Sequence, residues 1–330
     1  MKRKLFSKHI IVTLPLLLFS LLLKAQDPQL SQFYAAPLYL GPSFAGMSNG
    51  ARVSLNYRKQ WPVLTNGFNT YAFGIDNNFT NLKSGMGLIV LRDDIGSAHL
   101  SLTSVGAIYS YLIDLDRKWH VKPGITFWYS RHSLDFYKLI FPDQVQNANS
   151  SIEVPTQKFK AAIDFSSSVV AYNPKVWFGF TVDHLMRPDE SLGGTSNRIP
   201  YKFSVYGGTK FLVKNHTRSF RSAEESITTA FLYKRQGNWQ QFDLGLYWNK
   251  QPIILGVWLR GIPIVVKNPG MDAIVFLAGM RYNGYTIAYS YDSTISQFGV
   301  NSGGAHEISI TYEFKVQTHK RWKPIPCPTF

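Results

Sequence analysis

Residues 285–292 read YTIAYSYD, and their order decides the fold. On an extended chain Tyr285, Ile287, Tyr289 and Tyr291 share one face, while Thr286, Ala288, Ser290 and Asp292 share the other. A helical period would scatter both sets around the axis. The pattern returns in QFDLGLYWN (241–249), where Phe242, Leu244, Leu246 and Trp248 alternate with polar or small residues. It returns again in HEISITYEF (306–314), with Ile308, Ile310, Tyr312 and Phe314 set against Glu307, Ser309, Thr311 and Glu313.

Working outward from these stretches, turn signals divide the chain into fourteen candidate strands: 50–60, 67–79, 84–93, 98–113, 117–132, 161–172, 175–187, 199–214, 224–235, 238–250, 252–261, 270–282, 284–293 and 302–316. Several junctions are tight-turn dipeptides: Asn173-Pro174, Gly237-Asn238 and Asn283-Gly284. Others are long, notably 133–160 and 187–198. Near Thr103 and Ser104 the phase slips, which predicts a bulge. Residues 273–281 are apolar on both faces.

Strands of about 10–16 residues exceed the usual 5 or 6 of soluble sheets and suit a tilted membrane crossing. Aromatic residues crowd their ends, as with Trp119, Trp128 and Tyr129, or Trp239, Tyr247 and Trp248. After residue 25 no apolar run is long enough for a membrane helix, so the sequence predicts an all-β, transmembrane antiparallel β-barrel with short turns on one rim and longer loops on the other.

Met1–Ala25 has the form of a secretory signal: Lys2, Arg3, Lys4 and Lys8, then an apolar run from Ile10 to Leu23, then Ala25 at a cleavage point. Removing it takes Lys2, Arg3, Lys4, Lys8 and Lys24 from a net charge of +15 and leaves about +10. On an exported chain this charge points to anionic lipid headgroups or an acidic partner rather than to nucleic acid. The single cysteine, Cys327, leaves no internal disulfide, so stability must come from packing and closed backbone pairing.

Two pieces flank the predicted barrel of residues 50–316. Residues 26–49 hold SQFYAAPLYLGPSFAG (31–46), aromatic and apolar but interrupted by Pro37, Gly41 and Pro42, so neither helix nor central strand runs through it. Phe33, Tyr34, Tyr39 and Phe44 are costly to leave in water, which predicts an ordered plug or docking segment at the periplasmic mouth. The tail, 317–330, carries Lys320, Arg321 and Lys323 without an acid, and alternating prolines bar it from a ladder.

QDPQLSQFYAAPLYLGPSFAGMSNGARVSLNYRKQWP (26–62) resembles the opening of the PorP/SprF family of type IX secretion membrane proteins. The likeness continues through LGLYW (244–248), IILGVWLRG (253–261), YSYDSTIS (289–296), NSGGAHEISITYEF (301–314) and WKPIPCPTF (322–330). It implies an outer-membrane barrel serving secretion and surface attachment of adhesins, often in gliding bacteria, together with periplasmic and inner-membrane components. It implies no enzymatic activity. Implied partners are the C-terminal domain of a secreted surface protein, periplasmic secretion or gliding components, and outer-membrane lipid and lipopolysaccharide. An even strand count places both termini on the periplasmic side. A transport channel for small or hydrophobic solutes is the alternative function.

Among candidate site residues, Arg52, Asn56 and Arg58 lie opposite Val53, Leu55 and Tyr57 and point inward. Asp76 and Asp292 are inward by the same alternation and are their expected ion-pair partners; Asp243, Lys202 and Lys210 belong to the same predicted lumen network. Phe33, Tyr34, Tyr39, Phe44, Arg321, Trp322 and Cys327 form the predicted periplasmic docking set. His99 and Ser101 share a strand face near Asp93 and Asp94, the one arrangement that hints at catalysis. Asp183 with His184, and His306 with Glu307, are sequence neighbours on opposite strand faces, poor geometry for a dyad or a metal pair. No cofactor is expected.

Overall fold

A computed structural model describes residues 27–64, 67–96, 100–135, 139, 144, 159–192, 196–214, 225–263, 271–295 and 303–314. The predicted signal, the 317–330 tail with Arg321, Trp322 and Cys327, and His99 lie outside the described residues. Fifteen strands form one antiparallel sheet. They are β1 (Arg52–Gln60), β2 (Phe68–Phe79), β3 (Ser84–Ile95), β4 (Leu100–Tyr111), β5 (Ile113–Asp114), β6 (His120–Ser133), β7 (Phe159–Tyr172), β8 (Val176–Asp183), β9 (Lys202–Lys214), β10 (Glu225–Gln236), β11 (Trp239–Lys250), β12 (Ile253–Arg260), β13 (Ala273–Tyr282), β14 (Tyr285–Thr294) and β15 (Ala305–Glu313). Each long strand pairs with its sequence neighbour, and β1 pairs with β15 to shut the ring. Since β5 only prolongs β4 alongside β6, the wall is a closed barrel of fourteen strands.

Closure removes the sheet edge, which is the condition for a strand-built structure to lie in hydrocarbon. Its outer face is largely apolar: Leu55 is 49% exposed, and Phe73, Leu88, Phe178, Leu246, Phe276, Ile287 and Ile308 are exposed with it. The inward positions between them are Ser54, Asn56, Arg58, Thr70, Asp76, Ser166, Thr228, Ser290, Glu307 and Ser309, all buried. Greasy outside and polar inside inverts a soluble domain and matches a membrane barrel. Asn283 and Gly284 both take positive φ in the tight turn between β13 and β14, which few residue pairs tolerate. The Asn173 side chain accepts the Lys175 and Val176 amides, each at 2.8 Å, to turn the chain into β8.

The predicted bulge at Thr103 and Ser104 is corrected by the register. Both the β3–β4 and β4–β6 ladders run unbroken through these residues. The phase slips in the sequence because Leu102, paired with the inward Asp93, breaks the polar-in rule. An irregular register falls instead between β9 and β10, at Glu225 and Ser226.

Residues 27–51 do not extend the wall. They run down the lumen as a bent chain with one helical turn, Pro37–Leu40, and a 3-10 turn, Pro42–Phe44. Asp27 accepts from Lys202 at 2.7 Å and from Gln236 at 2.9 Å, at the rim where β9 starts and β10 ends. At the other rim Phe314, just past the last strand, donates its amide to the Ala51 carbonyl at 2.9 Å, where β1 begins. Asp27 and Phe314, the first and last of the described residues, lie at opposite rims, because the leading segment traverses the barrel before β1. For the same reason the segment fills the lumen rather than only its mouth.

Candidate functional site

The lumen and its occupant make the site, and two unlike walls hold it. One wall is apolar. Phe44 is fully buried and Tyr34 is 1% exposed; with Phe33 and Leu40 they join Trp177, Tyr206, Leu232, Tyr247, Ile254, Trp258, Val275 and Leu277 in a single cluster. Phe33 meets Trp258 edge-on at 4.7 Å, and Tyr34 meets Tyr247 and Trp177 edge-on at 6.3 and 6.2 Å. This accounts for 273–281 being apolar on both faces: one side meets the surroundings, while Val275 and Leu277 meet the threaded rings. Glycines of the wall let the chain approach it closely. A Cβ on Gly85 would sit 2.1 Å from the Ala45 carbonyl oxygen, and one on Gly124 would sit 2.6 Å from the backbone at Pro42 and Ser43.

Phe33, Tyr34 and Phe44 thus bury nearly all of their surface on the chain's own barrel. Tyr39 is half-buried, packs on the smaller cluster of Leu30, Ala36, Ala72 and Leu91, and donates its hydroxyl to the Pro28 carbonyl.

The other wall is charged. Arg58 on β1 contacts Asp292 at 2.8 Å and Glu307 at 3.4 Å, and Arg260 on β12 reaches Asp292 at 2.8 Å. All four are buried. They enclose residues 31 and 32 of the occupant. Glu307 accepts the Ser31 amide at 2.6 Å and the Gln32 amide at 3.1 Å; the Ser31 hydroxyl donates to Asp292 at 2.7 Å and accepts from Arg260 at 2.7 Å. Nearer the β1 rim, Arg52 pairs with Asp76 at 2.9 Å, and Asp76 also accepts the Gly46 amide at 2.7 Å. Lys122 donates to the Gly46 carbonyl at 3.1 Å.

Of the predicted network, Arg52, Arg58, Asp76 and Asp292 come together as ion pairs. Asn56 is buried between them on β1. Asp243 stands apart from these pairs; its carboxylate accepts from Gln241 and from the Gly261 amide. Lys202 belongs to the rim beside Asp27. Lys210 lies toward the opposite end of β9, where its amide donates to the Lys175 carbonyl. Sequence reasoning missed Arg260 and Glu307, although alternation sets Glu307 on the polar face with Ser309 and Thr311. It also missed the rim clamp, where His184 bonds Asp164 through Nδ1 at 2.7 Å and Asp27 through Nε2 at 2.9 Å. No spacing in the sequence could join residues so far apart in the chain.

Burial opposes charge at His184, but Asp27 and Asp164 outweigh it and push its pKa up to about 10. Burial likewise opposes the Asp27 carboxylate, and His184 and Lys202 hold it well below the usual carboxylate value. Ser101 pairs its hydroxyl with Ser133 at 2.8 Å across the β4–β6 ladder. Among the described residues no cluster of three or more His, Cys, Asp or Glu could hold a metal.

The family model for type IX secretion system membrane proteins PorP/SprF matches residues 22–312. No curated protein matches the chain. Among solved structures, the outer membrane protein Omp33 of Acinetobacter baumannii aligns at 6% identity and TM-score 0.44, covering 82% of this chain and 100% of its own. The Pseudomonas putida toluene transporter TodX aligns at 8% identity and TM-score 0.45, covering 84% and 93%. A Pseudomonas aeruginosa FadL homologue aligns at 12% identity and TM-score 0.39, covering 83% and 94%.

Proposed function

This chain belongs to the PorP/SprF family of type IX secretion system membrane proteins, and from that premise we propose that it is a sealed outer-membrane anchor that binds a type IX-secreted surface protein through the rim bearing its longer loops. Its work is binding, and no step of chemistry is assigned to it. The observation that carries this reading is the occupied lumen: residues 27–49 run from rim to rim and are fixed to both walls, so the surfaces left for a partner are the rims. Ser133, Phe159, Asp183 and Lys202, the strand ends joined by the longer connections, lie on Asp27's rim, while the turns at 173–175, 251–252 and 283–284 lie on the other. Outer-membrane barrels keep short turns in the periplasm. On this reading the rim of Asp183 and Lys202 faces outward together with Asp27, and the rim of Phe314 faces the periplasmic components.

Gentle detergent extraction followed by identification of bound proteins tests the anchor. A secreted surface protein should co-purify and be lost when residues 187–198 are replaced by a short glycine-serine linker; recovery of free barrel alone overturns the reading. Orientation has its own test, in a Cys327→Ser background labelled on intact cells with a membrane-impermeant maleimide. Asn238→Cys, on Asp27's rim, should react, and Asn283→Cys, on the opposite rim, should not; the reverse pattern inverts the barrel. Passage of solutes is the second reading. Liposomes carrying this protein should not swell in sugars, and swelling equal to that of an open porin would favour transport.

A further inference from the structure

Between β7 and β9 the wall steps down on Asp27's rim. β8 last pairs with β7 at Ser167, opposite Val182, while β7 continues to Phe159, paired along its whole length with β6. Among the described residues, the stretch Phe159–Ser166 thus has a strand on one side only. Asp164 ends the shared ladder: its carboxylate accepts the Phe165 amide at 2.8 Å and the Met186 amide at 3.1 Å, and the Leu185 amide makes the last bond to the Phe165 carbonyl at 3.0 Å. His184 and Arg187, both at positive φ, then turn the chain away. It meets β7 again through the Lys160 side chain, which holds Asp189 at 2.8 Å and the Ser191 carbonyl at 3.3 Å.

The pleat sets the direction of the groups left over. N–H and C=O of one residue point the same way, and that way alternates along a strand. Asn173 and Phe165 both bond on the β8 side. Ala161 and Ile163 therefore present their amides and carbonyls to that side, and nothing among the described residues meets them. Asp164 bonds His184, which bonds Asp27 at the rim, so this edge stands beyond the rim in water; in hydrocarbon such groups could not be left unpaired. Phe159, Ala161 and Ile163 also expose apolar side chains, with the Arg131 guanidinium 4.3 Å from the centre of the Phe159 ring.

We propose that this edge of β7 takes up an extended segment of the secreted surface protein as an added strand, held by the amides and carbonyls of Ala161 and Ile163. The inference rests on the anchoring reading above and states how the partner is gripped. Main-chain bonds supply the affinity of such an addition, and alternate side chains supply its selectivity. Here the exposed face asks for apolar residues beside Phe159 and Ile163 and, next to the small Ala161, an acid within reach of Arg131. A second copy does not fit. Copies in one membrane are related by an axis along its normal, so strands tilted by about 35–45° would cross at about twice that angle, too steeply to pair.

Hydrogen exchange read residue by residue tests it. In the isolated barrel the Ala161 and Ile163 amides should exchange roughly a hundred-fold faster than that of Ala162, which bonds β6. In the complex co-extracted with a surface protein, both should slow about ten-fold or more, and Ala162 should not change. Ala161→Pro with Ile163→Pro removes only the two unpaired amides and should lower the amount of co-extracted surface protein about ten-fold. Ala161→Ser with Ile163→Val, which keeps those amides, should retain it. Amides already slow in the isolated barrel, exchange unchanged in the complex, or undiminished co-extraction by the proline variant would each overturn strand addition while leaving the anchor standing. An unaltered barrel that brings down no surface protein removes both. The exchange comparison needs no variant and holds where the proline chain fails to assemble.

Discussion

The two walls that grip residues 27–49 hold the same segment by opposite means. Trp258, Tyr247, Val275 and Leu277 offer Phe33 and Tyr34 a greasy surface with no directional demand, whereas Arg58, Arg260, Asp292 and Glu307 offer residues 31 and 32 fixed donors and acceptors. Burial of the aromatic rings supplies favourable free energy, of order 1.5–3 kcal/mol for a large apolar side chain. The buried charges add little net, because taking them out of water costs about what their attraction returns. What they add is position: a carboxylate that must meet two consecutive amides tolerates only one placement of the chain. Attraction and alignment are thus assigned to different sides of one lumen.

The sharpest way to break this contrast is Asp292→Leu, which leaves Arg58 and Arg260 facing each other without their shared acid. A loss of about 5 kcal/mol is expected in urea unfolding from lipid vesicles. Replacing Arg58, Arg260 and Asp292 by apolar residues together with Glu307→Gln, so that no buried charge is left unpaired, should restore most of that loss. If the quadruple variant is as unstable as the single one, the charged wall contributes energy and not only alignment. On the apolar wall, Phe44→Ala should cost about 3–5 kcal/mol, with no compensating partner able to recover it. Gly85→Ala should cost about 1–3 kcal/mol, because its methyl meets the Ala45 carbonyl and the segment must shift to admit it. A cost near zero would mean that residues 42–46 are not seated as described.

The smallest effect concerns the rim clamp. His184 has its pKa raised in the folded protein, so its contribution is fully present below the free imidazole value of 6.5, declines above it and is gone past about 10. Asp27 is shifted the other way, so its contribution is present above the free carboxyl value of 3.8 and is lost as the pH falls below it. Hydrogen exchange at residues 29 and 30, corrected for intrinsic rates, should therefore show greatest protection between about pH 4 and 6.5, while residues 43–46 on the far side stay unchanged. His184→Gln should flatten the alkaline limb. Protection that rises from pH 7 to 10 would contradict the clamp.

How much of this was legible in the sequence differs between wall and occupant. Strict alternation fixes which side chains face in, so all fourteen long strands and the ion pairs of Arg52 and Arg58 could be read from periodicity. The chain 27–51 has no period, and its path depends on surfaces contributed by nearly every strand. From composition it could be recognised as needing shelter, but not as crossing from one rim to the other. Arg260 and Glu307 were overlooked for a related reason: each is a single charge on a polar face, and its significance comes only from the residue it meets across the lumen.

The Arg58–Glu307 pair also bears on how the ring is completed. Arg58 and Glu307 are directly opposite each other where the first long strand joins the last, and both also touch Ser31. A slip of one residue at that junction would turn Glu307 out into the acyl chains and leave Arg58 and the Ser31 amide without it. The same few atoms therefore proofread two events at once, the zipping of the seam and the threading of the chain through it.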